Sequence, residues 1–94
     1  IPVSFNISQN YPNPFNPLTT LSYDLPENGH VSITIFDIAG KRVKTLVNTY
    51  QLAGSRSTQW NATNDAGTPV SGGLYFYTIR AGDLKQTRKM LLLK

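Results

Sequence analysis

Gly72-Gly73-Leu74-Tyr75-Phe76-Tyr77-Thr78-Ile79-Arg80-Ala81-Gly82-Asp83 is the stretch that decides how this 94-residue chain folds. Two glycines lead into seven residues rich in aromatic and β-branched side chains, and Ala81-Gly82-Asp83 ends the run with turn chemistry. Tyr75 and Tyr77, two residues apart, share a face in a strand, whereas a helix would put them on different sides. The stretch predicts a strand over 74–80 with both tyrosines buried, a turn, and a last strand from Lys85 to Leu93.

The same period of two recurs upstream. Val3, Phe5 and Ile7 alternate with Ser4, Asn6 and Ser8, which predicts a half-buried strand over 3–9. Residues 19–25 put Leu21, Tyr23 and Leu25 on one face, and residues 30–38 put Val31, Ile33 and Ile35 inward. Pro26-Glu27-Asn28-Gly29 reads as a turn between them, because Asn-Gly tolerates positive φ. Ala39-Gly40 closes the 30–38 strand. Residues 42–48 follow as a strand with Val43 and Leu46 inward, Leu52-Ala53-Gly54 breaks the chain, and 55–60 is a polar strand ending in the only Trp. Asn61 to Pro69 is a loop with Asp65-Ala66-Gly67 at its tip. Tyr11-Pro12-Asn13-Pro14-Phe15-Asn16-Pro17 excludes a helix, since proline lacks the N–H and pushes its predecessor to extended backbone. It predicts a rigid, extended crossover with Tyr11 and Phe15 as core anchors.

About seven short strands, turn signals between them and no clean helical spacing point to an all-β, antiparallel sandwich of the immunoglobulin or fibronectin kind. Gly73-x-Tyr75-x-Tyr77 has the form of a tyrosine corner, in which a Tyr near the start of the penultimate strand bonds back to the backbone. Tyr77 then stands where antibody domains carry a cysteine. Tyr23, Ile33, Ile35, Trp60, Tyr75 and Tyr77 are the expected core. The length is that of one domain, 1–94, with residues 1–3 as a candidate linker from an upstream domain. A start at Ile1 without a signal-peptide pattern suggests a piece of a longer protein.

Composition narrows the function. Nine basic and five acidic residues give a net charge of +4, and the basic side chains are scattered apart from Lys41, Arg42 and Lys44 and the group Lys85, Arg88, Lys89 and Lys94. Nucleic-acid binding calls for a denser stripe, so no nucleic-acid partner is expected. With no cysteine there is no disulfide and no thiolate metal site. No apolar run approaches the roughly 18 residues of a membrane span. His30 is the only histidine and is expected at the surface. Asp24 and Glu27 flank one turn without a cleft around them. No nucleophile elbow and no Gly-rich loop leading into a helix is present. Asn61, Thr63, Asn64, Asp65 and Thr68 offer oxygens to a weak calcium site, against the simpler reading of an Asx turn. The expectation is therefore no catalytic residue and no cofactor. Trp60, Tyr50 and Tyr11 are the candidates if the chain is instead an accessory module for polysaccharide or cell-wall glycan.

Four blocks of sequence carry a family resemblance. Asn10 to Pro17 with Thr19 to Pro26 resembles the opening of the type A sorting domain of the type IX secretion system. Ile35-Phe36-Asp37-Ile38-Ala39-Gly40-Lys41-Arg42-Val43 resembles its second block, and Trp60 to Val70 with Ser71 to Tyr77 its third. Lys89-Met90-Leu91-Leu92-Leu93-Lys94 is similar to its ending. The third block is also similar to the immunoglobulin-like domain of the flagellar hook-capping protein, with Trp60-Asn61-Ala62 where a Trp-Asp-Gly form is common. The resemblance implies a non-catalytic module, monomeric, that sorts an upstream cargo of the same chain. Its implied partners are the outer-membrane translocon and the shuttle or sortase components of a Gram-negative bacterium. The cargo would pass through the periplasm and be secreted or held at the surface. Pro12, Asn13, Pro14, Phe15, Gly40, Lys41 and Lys89 to Lys94 are then the candidate recognition residues. A chain that ends inside its last strand would also present an edge to which another chain can add a strand, beside Lys85, Arg88 and Lys89.

Overall fold

Seven strands form. The computed structural model describes residues 4–94: β1 (Asn6–Ile7), β2 (Thr19–Leu25), β3 (Gly29–Phe36), β4 (Arg42–Gln51), β5 (Gly54–Trp60), β6 (Gly73–Ala81) and β7 (Leu84–Leu92). Every pairing is antiparallel, in a three-stranded sheet ordered β1-β2-β5 and a four-stranded sheet ordered β4-β3-β6-β7. The chain changes sheets three times, between β2 and β3, between β4 and β5 (at Leu52-Ala53) and between β5 and β6. This is an immunoglobulin-like sandwich, 37 Å long and about 20 Å across.

Inward positions of both sheets supply the core. Leu21, Tyr23 and Leu25 of β2 face Val31, Ile33 and Ile35 of β3 and Tyr75, Tyr77 and Ile79 of β6, all buried. Met90 and Leu92 of β7, Trp60 of β5 and Phe15 complete the centre. Val43, Leu46 and Val47 pack on it from β4, whose ladder with β3 is interrupted by two bulges. The Tyr75 hydroxyl donates to the Ser71 carbonyl at 2.6 Å, forming the tyrosine corner. The Tyr23 hydroxyl donates to Gln51 Oε1 at 2.7 Å and ties β2 to β4 in the other sheet.

Several boundaries differ from the sequence expectation. Of the strand expected over 3–9, only Asn6–Ile7 pairs, and Val3 and the candidate linker 1–3 lie outside the described residues. The third strand stops at Phe36, not Ile38, because Asp37 closes the next turn: its Oδ1 accepts from the N–H groups of Ala39 and Lys41. The fourth strand runs on to Gln51, as its ladder with β3 continues through Tyr50 and Gln51. Gly29 is not at positive φ; it opens β3, and the Asn28 side chain instead accepts the Ala53 N–H at 2.7 Å.

The proline segment is bent, with all three X–Pro bonds cis, where an extended crossover was expected. Phe15 is the buried anchor, but Tyr11 is 78% exposed. Asn10 holds the inward place instead: its N–H donates to the Tyr77 hydroxyl and its side-chain amide to Thr19 Oγ1 and the Pro12 carbonyl. An inward Asn10 leaves its neighbour Tyr11 pointing out, where it bridges Thr20 through backbone bonds alone.

Candidate functional site

The four sequence blocks meet at one end of the sandwich. Strand register fixes this: Thr19 pairs with Trp60, Phe36 with Arg42 and Phe76, and Gly73 with Leu92. The proline strap before Thr19, the Asp37–Lys41 turn, the loop after Trp60 and the end of β7 therefore share a pole. The opposite pole carries the Pro26–Asn28 turn, the β4–β5 switch and the β6–β7 turn. Ser4 and Phe5 lie there too, lining a hollow with Pro26 and Leu84.

Trp60 is the hub of the motif pole. Its ring centroid lies 5.7 Å from Phe15 of the strap and 5.3 Å from Tyr75 of the corner, tilted and edge-on respectively. Its indole N–H donates to the Thr63 carbonyl at 2.8 Å, so no polar atom of this buried ring lacks a partner. Ala62, also buried, sits at φ +62°, a left-handed conformation that suits glycine. That accounts for the glycine in the Trp-Asp-Gly form at the corresponding place.

The strap covers half of the last strand's edge. Phe15 donates its N–H to the Leu91 carbonyl at 3.0 Å, and Leu93 returns one to the Phe15 carbonyl at 2.9 Å. Asn13 Oδ1 accepts the Leu91 N–H at 3.0 Å, and the Gln9 amide donates to the Lys89 carbonyl at 2.8 Å. The terminal edge expected to be free is therefore occupied from Lys89 to Leu93. The other edge of this sheet is covered by one residue: Asp65 accepts the Thr45 N–H at 3.0 Å through its carboxylate and gives its own N–H to the Val43 carbonyl. Arg42 approaches the same carboxylate at 3.7 Å in an exposed pair.

Of the candidate recognition residues, Pro12, Asn13 and Pro14 are exposed and Phe15 is buried. Gly40, at φ +84°, and Lys41 lie on the exposed turn. Met90 and Leu92 enter the core, while Leu91 and Leu93 point outward at 38% and 50% exposure, and Lys89 and Lys94 are exposed. The apolar ending is thus split by its pleat into a structural half and a presented half. Tyr11, Leu18 and Ile38 are exposed at the same pole. Leu18 and Ile38 escaped the sequence reading, although each is out of phase with the inward odd positions of its neighbouring strand.

Chemistry is sparse. No cluster of three His, Cys, Asp or Glu residues occurs among those described. The Asp24 carboxylate accepts from Ser55 Oγ at 2.9 Å, and His30 is exposed beside Asn48. In the 61–68 loop, Asn64 Oδ1 accepts the N–H groups of Ala66 and Thr68, an Asx turn, and Asn61 Oδ1 accepts from Thr63 Oγ1. Trp60 is buried, and the exposed Tyr11 and Tyr50 border different sheets, so these three candidates do not form a row on one sheet face. Burial pushes the Tyr77 phenol above the ordinary 10.0, opposed by its bond to the Asn10 amide and by Arg88. Burial raises Tyr23 as well, against its bond to Gln51 and the charge of Arg56. Burial and then the Asp37 charge raise Tyr75.

Known proteins share this arrangement. The family described as "Secretion system C-terminal sorting domain" matches residues 9–93. Latent PorU from Porphyromonas gingivalis is similar over 96% of this chain and 9% of its own, with a TM-score of 0.72 at 16% identity. PorZ of the same organism, titled a surface component of the type-IX secretion system, is similar over 92% of this chain and 11% of its own (TM-score 0.61, 21% identity). FlgD from Xanthomonas campestris, a hook-capping protein, is similar over 93% and 64% (TM-score 0.65, 23% identity). The chain thus spans about a tenth of the two Porphyromonas proteins. No curated protein sequence matches it. With the family covering nearly every residue and its four blocks gathered at one pole, the chain belongs to the C-terminal sorting domains of the type IX secretion system.

Proposed function

We propose that this domain delivers a cargo protein, joined to it in one chain, across the outer membrane through the type IX translocon and to the cell surface. The observation that carries this reading is the convergence of the four family blocks on one pole of a sandwich 37 Å long, with Ser4 and Phe5 at the other. A cargo attached ahead of Ser4 would sit away from the motif pole and leave it free to be read. The exposed candidate recognition residues at that pole are Pro12, Asn13, Pro14, Gly40, Lys41, Lys89, Leu91, Leu93 and Lys94. Phe15, Met90 and Leu92 act indirectly, by holding those residues in place. The domain contributes no catalysis and needs no metal. In this reading the loop 61–68 is structural, because Asn64 Oδ1 serves the loop's own backbone, Asn61 Oδ1 accepts from Thr63 and the Asp65 carboxylate holds the edge of β4.

The test is a fusion of residues 1–94 to an inert periplasmic reporter in a host with the type IX apparatus. The expected result is reporter at the cell surface. A reporter that remains periplasmic, folded and intact overturns the proposal.

A further inference from the structure

The strap leaves the first half of β7 uncovered, and that half has the makings of a binding edge. The Lys89 carbonyl, both backbone groups of Leu91 and the Leu93 N–H are bonded to the strap, so odd-numbered residues of β7 aim their backbone away from β6. The β6–β7 register is unbroken from Leu84 to Leu92, so Lys85 and Thr87 aim theirs the same way. No described residue bonds those groups. Two hollows flank the open stretch. One, of about 400 Å³, lies between Phe5, Pro26, Leu84 and Gln86; the other, of about 380 Å³, lies between Gln9, Phe76, Thr87 and Lys89.

Charge singles out this edge. The β6–β7 hairpin carries Arg80, Lys85, Arg88 and Lys89 against Asp83 alone, four positive and one negative, or +3. Arg80 stands directly opposite Lys85, a like-charge cross-strand pair that disfavours the free hairpin and that an anion would relieve. The outer edge of β5, which has no such covering either, carries a single charge, Arg56, whose Nε is already bonded to the Leu52 carbonyl.

We infer that the Lys85–Arg88 edge accepts an extended acidic segment of the secretion machinery as an added strand, an inference that rests on the sorting role proposed above. Its ladder would start where the strap's bonds stop and use the Lys85 and Thr87 backbone, with alternate side chains entering the two hollows. Lys85, Arg88 and Lys89 select acidic residues in that segment.

The experiment uses the reporter fusion with three alterations. Thr87→Pro removes an outward N–H at an edge position that tolerates proline. Thr78→Val, on β6, leaves the whole β7 edge in place and loses the same 2.9 Å hydroxyl contact between Thr78 and Thr87. Lys85→Glu with Arg88→Glu reverses the charge. Surface delivery should fall about tenfold in Thr87→Pro, the worth of one hydrogen bond of ordinary strength, and stay unchanged in Thr78→Val. The charge reversal should lose delivery to at least the same extent. Lys85→Pro replaces Thr87→Pro if the latter melts well below Thr78→Val. In the free chain, amide exchange at Lys85 and Thr87 should be fast relative to Leu91 and Leu93; protection there shows an edge already paired and overturns the inference without any variant. Delivery by the proline variants equal to that of Thr78→Val also overturns it, while the unaltered fusion at the surface leaves the sorting role standing. Loss on charge reversal alone identifies a polyanion read by charge, such as a glycan, and rejects strand addition. Charged edges also guard against self-pairing; that role survives charge reversal, so normal delivery of the double Glu variant rejects the acidic occupant.

Discussion

Replacing Tyr77 by Phe removes one oxygen atom from the centre of this domain and leaves two backbone groups without their partner. That hydroxyl accepts the Asn10 N–H and donates to the Ser8 carbonyl, each at 3.0 Å, and so holds the start of the strap against β6. Asn10 is 2% exposed, so its N–H has no water to turn to, and an orphaned buried donor costs about 1–3 kcal/mol. Ser8 is exposed, so its carbonyl recovers a water partner and the loss there is only about 0.5 kcal/mol. The sum is about 2 kcal/mol, out of a stability of roughly 5–10 kcal/mol for a domain of this length. With a urea slope of about 1–1.5 kcal/mol/M, the midpoint should fall by about 1.5 M, and the melting temperature by about 8–16 °C. Tyr77→Ala should cost more, about 3–5 kcal/mol plus the same orphaned donor, because it also removes a fully buried ring. Amide exchange at Asn10 should accelerate in the Phe variant. A loss below about 0.5 kcal/mol, with Asn10 exchange unchanged, would refute the claim that the strap hangs on this hydroxyl.

Asp65→Ala should destabilise by about 1 kcal/mol while Asp65→Asn costs much less, since an amide oxygen can still accept the Thr45 N–H and an exposed ion pair to Arg42 adds little; equal losses in urea melts would make charge the cause. Stability should fall as the pH rises above 10. Tyr23, Tyr75 and Tyr77 all have folded values above 10.0, so in that window the unfolded chain sheds phenolic protons that the folded chain keeps; ultraviolet titration should show ionisation and unfolding together. Calcium should leave the melting temperature unchanged, whereas a specific site at 100 times its dissociation constant would add about 2.7 kcal/mol.

Strands and turns were legible because they rest on local physics. Alternation alone places Leu21 and Leu25, or Val31, on a common inward face, and the Gly73-x-Tyr75-x-Tyr77 form is enough to foresee that Tyr75 bonds back to the backbone, which it does at Ser71. Element ends were less legible. Ile38 continues an apolar run, and only the Asp37 carboxylate bonding back to Ala39 and Lys41 stops the strand before it. In the strap, two aromatics invited the reading of two anchors. The inward place went to Asn10, because Tyr77 and Thr19 offer polar partners there that no local pattern reveals.

The candidate site divides along the same line. By itself the sequence determined a cysteine-free, all-β chain with four recognisable blocks and no catalytic constellation, because residue type, period and spacing are properties of the chain alone. That the blocks share a pole was decided by strand register, which joins residues as distant as Phe15 and Leu92. Which edge is open was decided there too. Backbone groups are the same in every residue, and their satisfaction depends on what folds beside them: the strap bonds Leu91, Asp65 bonds Thr45, and no described residue bonds the outward backbone of Lys85 and Thr87.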